Sequence, residues 1–142
     1  MTRVVCFGTF DIIHPGHIFF LTAARNLGDE LYVIISRDER RAQLSGATPV
    51  HTQKERMLVV GATKSVTQVI AGDKTDILKA LRSLKPGIIA LGHDQVYGVA
   101  LLKDWVEKQN PQPKIVRLGQ HKRARYSTSR IKEALCRKKK AL

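Results

Sequence analysis

Residues 8–17 read G-T-F-D-I-I-H-P-G-H, and this stretch constrains the fold more than any other part of the chain. It follows an apolar run at residues 4–7 that predicts a buried strand, and it leads into residues 18–24, whose spacing and composition predict a helix. A strand, a short glycine-containing turn and a helix start together present backbone N–H groups to a phosphate. We therefore predict an anion-binding site at this turn.

Two histidines lie at the predicted helix start. Pro15 fits the first helical position, where its missing N–H costs nothing. His14 is then the cap residue and His17 lies one turn further on, so both imidazoles lie near the positive end of the helix dipole. Gly8 and Gly16 allow a ligand to approach the backbone closely. The stretch thus predicts an anion site with two imidazole hydrogen-bond donors; the alternative is that the histidines only cap the helix and bond nearby carbonyls.

The rest of the chain continues this alternation of strands and helices. Apolar runs predict further strands at residues 31–36, 67–70, 87–92 and 114–118, and helical patterns occur at residues 52–59, 76–84, 101–106 and 127–135. This is the spacing of parallel βαβ units. We predict an α/β fold in which residues 1–142 form a single Rossmann-like, doubly wound domain, with a five-stranded parallel sheet and helices on both faces.

Polar and charged residues follow four of these predicted strands. Residues 8–17 follow the first strand, residues 37–41 the second, residues 93–95 the fourth and the basic residues 120–126 the fifth. In a doubly wound sheet, ligands bind at the carboxyl ends of the strands near a topological switch point. Four loops are therefore predicted to converge on one cleft.

The charge of the chain favours anionic ligands. Its 142 residues include 25 Lys and Arg against 12 Asp and Glu, a net charge of +13, which suits nucleotides, phosphorylated metabolites or nucleic acid. Aromatic residues make up only 6% of the chain, so a non-catalytic nucleic-acid-binding module that stacks bases is a distant alternative. The basic residues at 137–142 are expected to form a solvated, fraying tail.

The expected location follows from features of the same sequence. The chain has no run of about 18 apolar residues that would predict a membrane span, and no basic-then-apolar leader precedes the first strand. Its two cysteines, Cys6 and Cys136, suit a reducing compartment better than a disulfide framework. We expect a cytoplasmic protein without a membrane partner.

The motif at residues 8–17 resembles the signature G-T-F-D-x-x-H-x-G-H of the cytidylyltransferase-like nucleotidyltransferases. Residues 91–95, L-G-H-D-Q, are similar to the family segment whose acidic residue contacts the nucleotide. Residues 126–132, Y-S-T-S-R-I-K, resemble the third motif, whose hydroxyls and helix N-terminus bind the departing phosphates; ordinary helix capping is the alternative. The resemblance implies an enzyme in which an acceptor phosphate attacks the α-phosphate of ATP or CTP and pyrophosphate leaves.

The same resemblance implies individual site residues. His14, His17 and Arg123 are the implied catalytic residues. A divalent cation, expected to be Mg²⁺, neutralises the triphosphate, and Asp11 either helps to hold it or braces the loop, with bracing favoured. The implied nucleotide-binding residues are Gly8, Thr9, Phe10, His14, Pro15, Gly16, His17, Asp94, His121, Arg125, Ser127, Thr128 and Arg130.

Two departures from the family pattern leave alternatives open. Relatives often carry a lysine just before the glycine of the loop after the second strand, where this chain has Ser45. Either Arg40 or Arg41 takes that role, or both are only solvated charges. Ahead of the third motif the family usually has arginine and threonine. This chain offers three alternatives for contacting the phosphates there, namely Lys122, Arg123 and Arg125.

The predicted acceptor is FMN, because the glycine-containing loops most resemble those of archaeal-type FAD synthetases, which adenylylate FMN. Glycerol-3-phosphate cytidylyltransferases and sugar-1-phosphate nucleotidyltransferases are the alternatives. Tyr97 and Trp105 are candidates for part of an apolar wall against a flavin ring, although packing in the core or at a subunit interface is favoured for Trp105. The expected partners are a nucleoside triphosphate and a phosphorylated small molecule, and a homodimer is left open.

Overall fold

Parallel strands joined by helices form a single sheet. The computed structural model describes residues 1–119 and 127–141. Within them the strands are β1 (Arg3–Gly8), β2 (Glu30–Ile35), β3 (Gln68–Ala71), β4 (Ile88–Leu91) and β5 (Lys114–Arg117). The helices are α1 (Pro15–Arg25), α2 (Asp38–Ser45), α3 (Gln53–Gly61), α4 (Lys79–Leu84), α5 (Val99–Glu107) and α6 (Thr128–Ala141).

Strand β1 lies at the centre of the sheet, whose order is β3-β2-β1-β4-β5. It pairs in parallel with β2 and β4, so that Cys6 lies between Val33 and Ala90. The central strands are continuous runs of buried apolar residues, as expected where both faces of a parallel sheet are covered. The order of the strands reverses between β1 and β4, which makes their carboxyl ends the topological switch point.

Each face of the sheet packs against its own layer of helices. One core cluster joins β1 to α1 and α3, and a second joins it to α4 and α5. Successive side chains of a strand point to opposite faces, which is why Val4 and Cys6 belong to the first cluster and Val5 to the second. The predicted α/β fold, a doubly wound five-stranded parallel sheet with helices on both faces, is confirmed.

Helix α2 follows the second strand where the sequence pattern gives no helical signal. Its residues, D-E-R-R-A-Q-L-S, include only two apolar side chains, so they show no apolar periodicity. Asp38 and Glu39 in the first turn favour the positive end of the helix dipole, and Gly46 ends the helix in the left-handed region at φ 73°. The charged residues after β2 are therefore held on a helix rather than on a loop.

Helix α4 begins at Lys79, three residues later than the predicted start at residue 76. The Asp73 carboxylate accepts hydrogen bonds from the backbone N–H groups of Thr75 and Asp76, each at 3.1 Å. The Asp76 carboxylate in turn accepts one from the N–H of Leu78 at 3.0 Å. Such bonds from side chain to backbone stabilise turns in competition with the helix, which explains the later start.

Helix α6 extends to Ala141, so the basic residues predicted to form a fraying tail belong to this helix. Lysine is a good helix former, and cations near a helix C-terminus interact favourably with the dipole. Residues 137–139 are exposed, as predicted for a solvated segment. In the described part of the chain, no helix is long and apolar enough to cross a membrane.

Candidate active site

The loop after β1 has a strained backbone. Phe10 and Ile12 both adopt a left-handed φ of 52°, a conformation that costs on the order of 1–3 kcal/mol for a residue other than glycine. Phe10 is buried, and a Cβ atom on Gly8 would lie 2.4 Å from its ring, so glycine is required there. Strain of this kind persists only where the surrounding structure holds it in place, and it concentrates at functional sites.

Asp11, between the two strained residues, ties the loop to two distant segments. Its carboxylate accepts hydrogen bonds from the backbone N–H groups of Val50 at 2.7 Å and His51 at 3.0 Å, and the Lys132 ammonium lies 3.8 Å away. The Asp11 carbonyl accepts a 2.6 Å bond from the Thr128 hydroxyl. Burial raises the pKa of Asp11, but the two N–H bonds, Lys132 and His51 outweigh burial and hold this pKa below its ordinary value. Asp11 is thus an ionised brace between the loop before α3 and the start of α6.

His14 caps α1, and Pro15 takes the first helical position, as predicted. The His14 Nδ1 atom accepts hydrogen bonds from the backbone N–H groups of Gly16 at 3.0 Å and His17 at 3.4 Å. Nδ1 is therefore unprotonated, and Nε2–H is the donor that His14 offers to a ligand. This corrects the prediction that the first amides of α1 face a phosphate: His14 already satisfies them, so the imidazoles are the donors there.

His17 stacks on His14 with ring centroids 3.7 Å apart, and the Phe10 ring meets it edge-on at 5.3 Å. Burial, and then the neighbouring His14, lower the pKa of His17 to about 4 against an opposing effect of Asp11. Burial also lowers the pKa of His14. Both imidazoles are consequently neutral hydrogen-bond donors at pH 7.

Two cavities open where the strands end. The first, which we call the histidine-side cavity, has a volume of about 260 Å³, and polar groups of His17, Asp11, Thr128 and Lys132 contribute to its lining. It lies at the start of α1 and the start of α6, so two helix N-termini border it. Their positive dipole ends make this cavity suitable for an anion.

The second, which we call the arginine-side cavity, has a volume of about 280 Å³ and mostly apolar walls. Arg37, Arg40 and Arg41, at the start of α2, lie on one side of it, and Tyr97, from the loop before α5, also lines it. The two cavities share Phe7, Gly8, Thr9 and Arg41, so they meet at the end of β1. The apolar wall includes Phe7, Ile34, Ile77, Leu91, Val99 and Leu102.

Arg56 of α3 supports both cavities. This side chain is fully buried, and its guanidinium donates hydrogen bonds to the carbonyl oxygens of Thr9 at 2.8 Å, Ser36 at 2.9 Å and His51 at 3.1 Å. It also donates a 2.6 Å bond to the Asp38 carboxylate at the start of α2. The sequence pattern does not single out Arg56, because one charged residue on the buried face of a helical pattern is a weak signal.

Comparison with known proteins agrees with this geometry. The cytidylyltransferase-like family matches residues 5–134. The chain belongs to this family. An FAD synthase from Methanospirillum hungatei is 41% identical over 130 residues, covering 92% of this chain and 82% of the relative. An FAD synthase from Methanohalophilus mahii is 38% identical over 141 residues, covering 99% of this chain and 98% of the relative.

Solved structures share the fold. The lipopolysaccharide core biosynthesis protein from Thermoplasma volcanium superposes with a TM-score of 0.77 at 37% identity, covering 85% of this chain and 98% of that one. The pantoate-beta-alanine ligase from Francisella tularensis superposes with a TM-score of 0.61 at 16% identity, covering 93% of this chain and 65% of that one. The second likeness concerns the fold alone.

The structure brings most of the family's signature residues to the histidine-side cavity. The Thr9 hydroxyl pairs with that of Ser36 at 3.0 Å. Gly16 is half-buried in the first turn of α1, where its N–H bonds to the cap. Those predicted residues that line the histidine-side cavity are Gly8, Thr9, Phe10, His17 and Thr128, and those that build the helix start beside it are His14, Pro15 and Gly16.

Other predicted nucleotide-binding residues line neither cavity. Asp94 follows β4 with a side chain 60% exposed, 3.6 Å from His93 Nε2. The Ser127 hydroxyl accepts the backbone N–H of Arg130 at 3.1 Å and so caps α6, and Arg130 itself is exposed. The remaining predicted residues lie outside the described part of the chain: His121, Lys122, Arg123 and Arg125.

The two candidates for a flavin wall differ in position. Tyr97 is 50% exposed and lines the arginine-side cavity. Trp105 is half-buried and packs against the core cluster beneath α4 and α5, which agrees with the core-packing interpretation. Of these two candidates, Tyr97 is therefore the one that lines the cavity where a ligand could bind.

Proposed function

We propose that this protein is an FMN adenylyltransferase, which transfers the adenylyl group of ATP to FMN and releases pyrophosphate. The observation that carries the proposal is the meeting of the two cavities at Gly8, Thr9 and Arg41. A cavity lined by the neutral His17 imidazole, with His14 beside it, suits the phosphates of a nucleotide. An apolar cavity bordered by arginines suits a planar, anionic acceptor. Relatives that are 36–43% identical and are named FAD synthase support the same acceptor.

In the proposed reaction, an oxygen of the FMN phosphate attacks the α-phosphorus of ATP. The new bond joins this oxygen to the α-phosphorus, and the bond from the α-phosphorus to the bridging oxygen of pyrophosphate breaks. The acceptor supplies its own nucleophile, so the protein contributes position and charge stabilisation. His14, through Nε2–H, and His17 donate hydrogen bonds to the phosphoryl oxygens as negative charge shifts towards the leaving group.

Mg²⁺ is the proposed cation of this reaction. Within residues 1–119 and 127–141, no group of three or more His, Cys, Asp or Glu side chains is arranged to hold a metal ion. Both oxygens of Asp11 accept backbone hydrogen bonds, which favours its role as a brace. Mg²⁺ usually keeps several waters and binds substrate phosphates, so we propose that the triphosphate carries it. Lys122, Arg123, Arg125 and Arg130 are the proposed partners of the β- and γ-phosphates.

A matrix of substrates tests the proposed function. Purified protein is incubated with Mg²⁺ and either ATP or CTP, each with FMN, glycerol 3-phosphate or a sugar 1-phosphate. We expect pyrophosphate and FAD to form only in the mixture that contains both ATP and FMN. Product from CTP and glycerol 3-phosphate, with none from FMN, would assign the chain to the cytidylyltransferases instead. No product anywhere, together with tight salt-dependent RNA binding, would favour the nucleic-acid-binding alternative.

The proposed location is the cytoplasm. Cys6 is buried in β1 and Cys136 is exposed on α6, and both are free thiols. Burial raises the pKa of the Cys6 thiol, so it is protonated at pH 7 and packs as an apolar side chain. A reducing compartment suits an exposed free thiol. The homodimer left open by the sequence stays a prediction.

A further inference from the structure

We propose that two adjacent arginines divide the recognition of the acceptor: Arg41 holds its phosphate, and Arg40 with Tyr97 holds its aromatic ring. This inference rests on the proposed function, because it assigns residues within the cavity given there to FMN. It also separates the two arginines that the sequence leaves as alternatives. The structure distinguishes them by the cavities that they line and by the partner that Arg40 contacts.

The position of Arg41 carries the first half of the proposal. Arg41 lines both cavities, whereas Arg40 lines the arginine-side cavity alone. Neighbouring residues of an α-helix point about 100° apart, so one helix can direct two consecutive side chains to different places. For attack, the acceptor phosphate has to lie roughly 3–3.5 Å from the α-phosphorus, which places it where the cavities meet. A guanidinium at that junction can bind a phosphate through two parallel hydrogen bonds.

The contact between Arg40 and Tyr97 carries the second half. The Arg40 guanidinium donates a hydrogen bond to the Tyr97 hydroxyl, and its Cζ atom lies 5.4 Å from the centre of the Tyr97 ring. Tyr97 is half-exposed, so a planar ligand can reach it from the cavity. Aromatic rings and guanidinium planes both stack on flat rings, and a partly exposed pair of this kind is weak enough to rearrange around one.

The third arginine of this cavity is engaged differently. Arg37 pairs with Glu39 at 3.5 Å and lines only the arginine-side cavity. Its charge is partly balanced by that carboxylate, and it does not reach the junction. Arg41 is thus the arginine of α2 that borders the place of bond formation, and Arg40 is the one that contacts an aromatic ring.

Flavin binding with and without the phosphate separates the two roles. The dissociation constants of FMN and riboflavin, which share the same ring, are measured from the change in flavin fluorescence. The variants are Arg41→Gln, Arg40→Gln and Tyr97→Ala. Val96→Ala is the matched control, because Val96 precedes Tyr97 in the same loop, is 79% exposed and lines neither cavity.

We expect Arg41→Gln to weaken FMN binding by roughly 10- to 100-fold and riboflavin binding hardly at all, since only FMN carries the phosphate that a charge-assisted hydrogen bond can hold. Arg40→Gln and Tyr97→Ala should weaken FMN and riboflavin by the same factor, roughly three- to tenfold. Val96→Ala should change neither constant.

Each other result has a definite meaning. If Arg41→Gln weakens both flavins equally, or if Arg40→Gln lowers the preference for FMN over riboflavin, the division between the arginines is wrong while the proposed function stands. If the unsubstituted protein binds neither flavin yet releases pyrophosphate with another acceptor, the proposed function fails and this inference fails with it. Thermal unfolding of every variant, compared with that of the unsubstituted protein, shows whether the substituted chain is folded.

Discussion

The two cavities at the end of β1 hold their functional groups in opposite ways. His17 lines the histidine-side cavity and stacks on His14, which caps α1 beside it, and both imidazoles are neutral. The arginine-side cavity is bordered instead by permanent cations, Arg40 and Arg41, on the partly exposed surface of α2. Permanent cations bind a charged ground state well, whereas fixed neutral donors can strengthen their hydrogen bonds as charge develops. The difference suggests that one cavity acts chiefly on the rate and the other chiefly on affinity.

Replacing a histidine should produce the largest effect. If turnover did not fall, the contrast between the two cavities would be wrong. His17→Ala is expected to lower turnover by roughly 10²–10³, the scale for losing one donor to developing charge. The KM values for ATP and FMN should change much less. Arg41→Gln, a change where the two cavities meet, should instead act chiefly on the KM for FMN. Normal turnover in steady-state assays of His17→Ala would contradict the assignment.

Replacing Arg56, which supports both cavities, should lower the free energy of unfolding. Arg56→Met leaves three carbonyl oxygens and the Asp38 carboxylate without their donor, and we expect a loss of about 3 kcal/mol in the free energy of unfolding. Arg56→Lys retains the charge but not the planar fork of donors, so its loss should be smaller. Chemical denaturation measures both. Equal, negligible losses would show that Arg56 does not hold the cavities together.

The buried imidazole makes stability depend on pH in a defined window. The unfolded chain protonates His17 near its ordinary pKa of 6.5, whereas the folded chain does so only near the lowered pKa of about 4. Between these values the unfolded state binds more protons, so the free energy of unfolding falls as pH falls, by about 1.5 kcal/mol between pH 6.5 and 5. The lowered pKa of His14 acts in the same direction.

Denaturation at pH 7 and pH 5 measures this effect, and His17→Gln is the control because its side chain cannot titrate. The pKa of Asp11 is also lowered, so its stabilising effect is lost only as pH falls below the ordinary carboxyl range, under the window used here. An unchanged pH dependence in His17→Gln would show that the burial of this imidazole is not the cause.

The smallest predicted effect concerns Asp11. An amide in its place can accept only one of the two backbone hydrogen bonds, so Asp11→Asn should lower the free energy of unfolding by about 1–2 kcal/mol. Since the structure makes Asp11 a brace, the Mg²⁺ concentration for half-maximal activity should stay the same. A severalfold rise in that Mg²⁺ concentration would show that Asp11 is a metal ligand and that a cation binds in the histidine-side cavity.

Part of this site could be predicted because its geometry is local. Residues within one helical turn of each other decide the start of α1, namely the cap formed by His14, the position of Pro15 and the placement of His17. The hydroxyl residues that begin α6 are likewise recognisable from their order. The start of α4 and the existence of α2 could not be predicted from the sequence. Side chains that bond nearby backbone delay the start of α4, and α2 has no apolar periodicity to detect.

The sequence by itself determined the alternation of strands and helices, the helix start after β1 and the family motif, because each depends on neighbouring residues. Only the tertiary structure decided what those residues face. Asp11 bonds to backbone 39 and 40 residues away, and Arg56 reaches Thr9 across 47 residues. Arg40 and Arg41 are consecutive, yet Arg41 lines both cavities and Arg40 lines the arginine-side cavity alone. Partners so distant in the chain are chosen by how the sheet and its helices pack, and no pattern of adjacent residues contains that information.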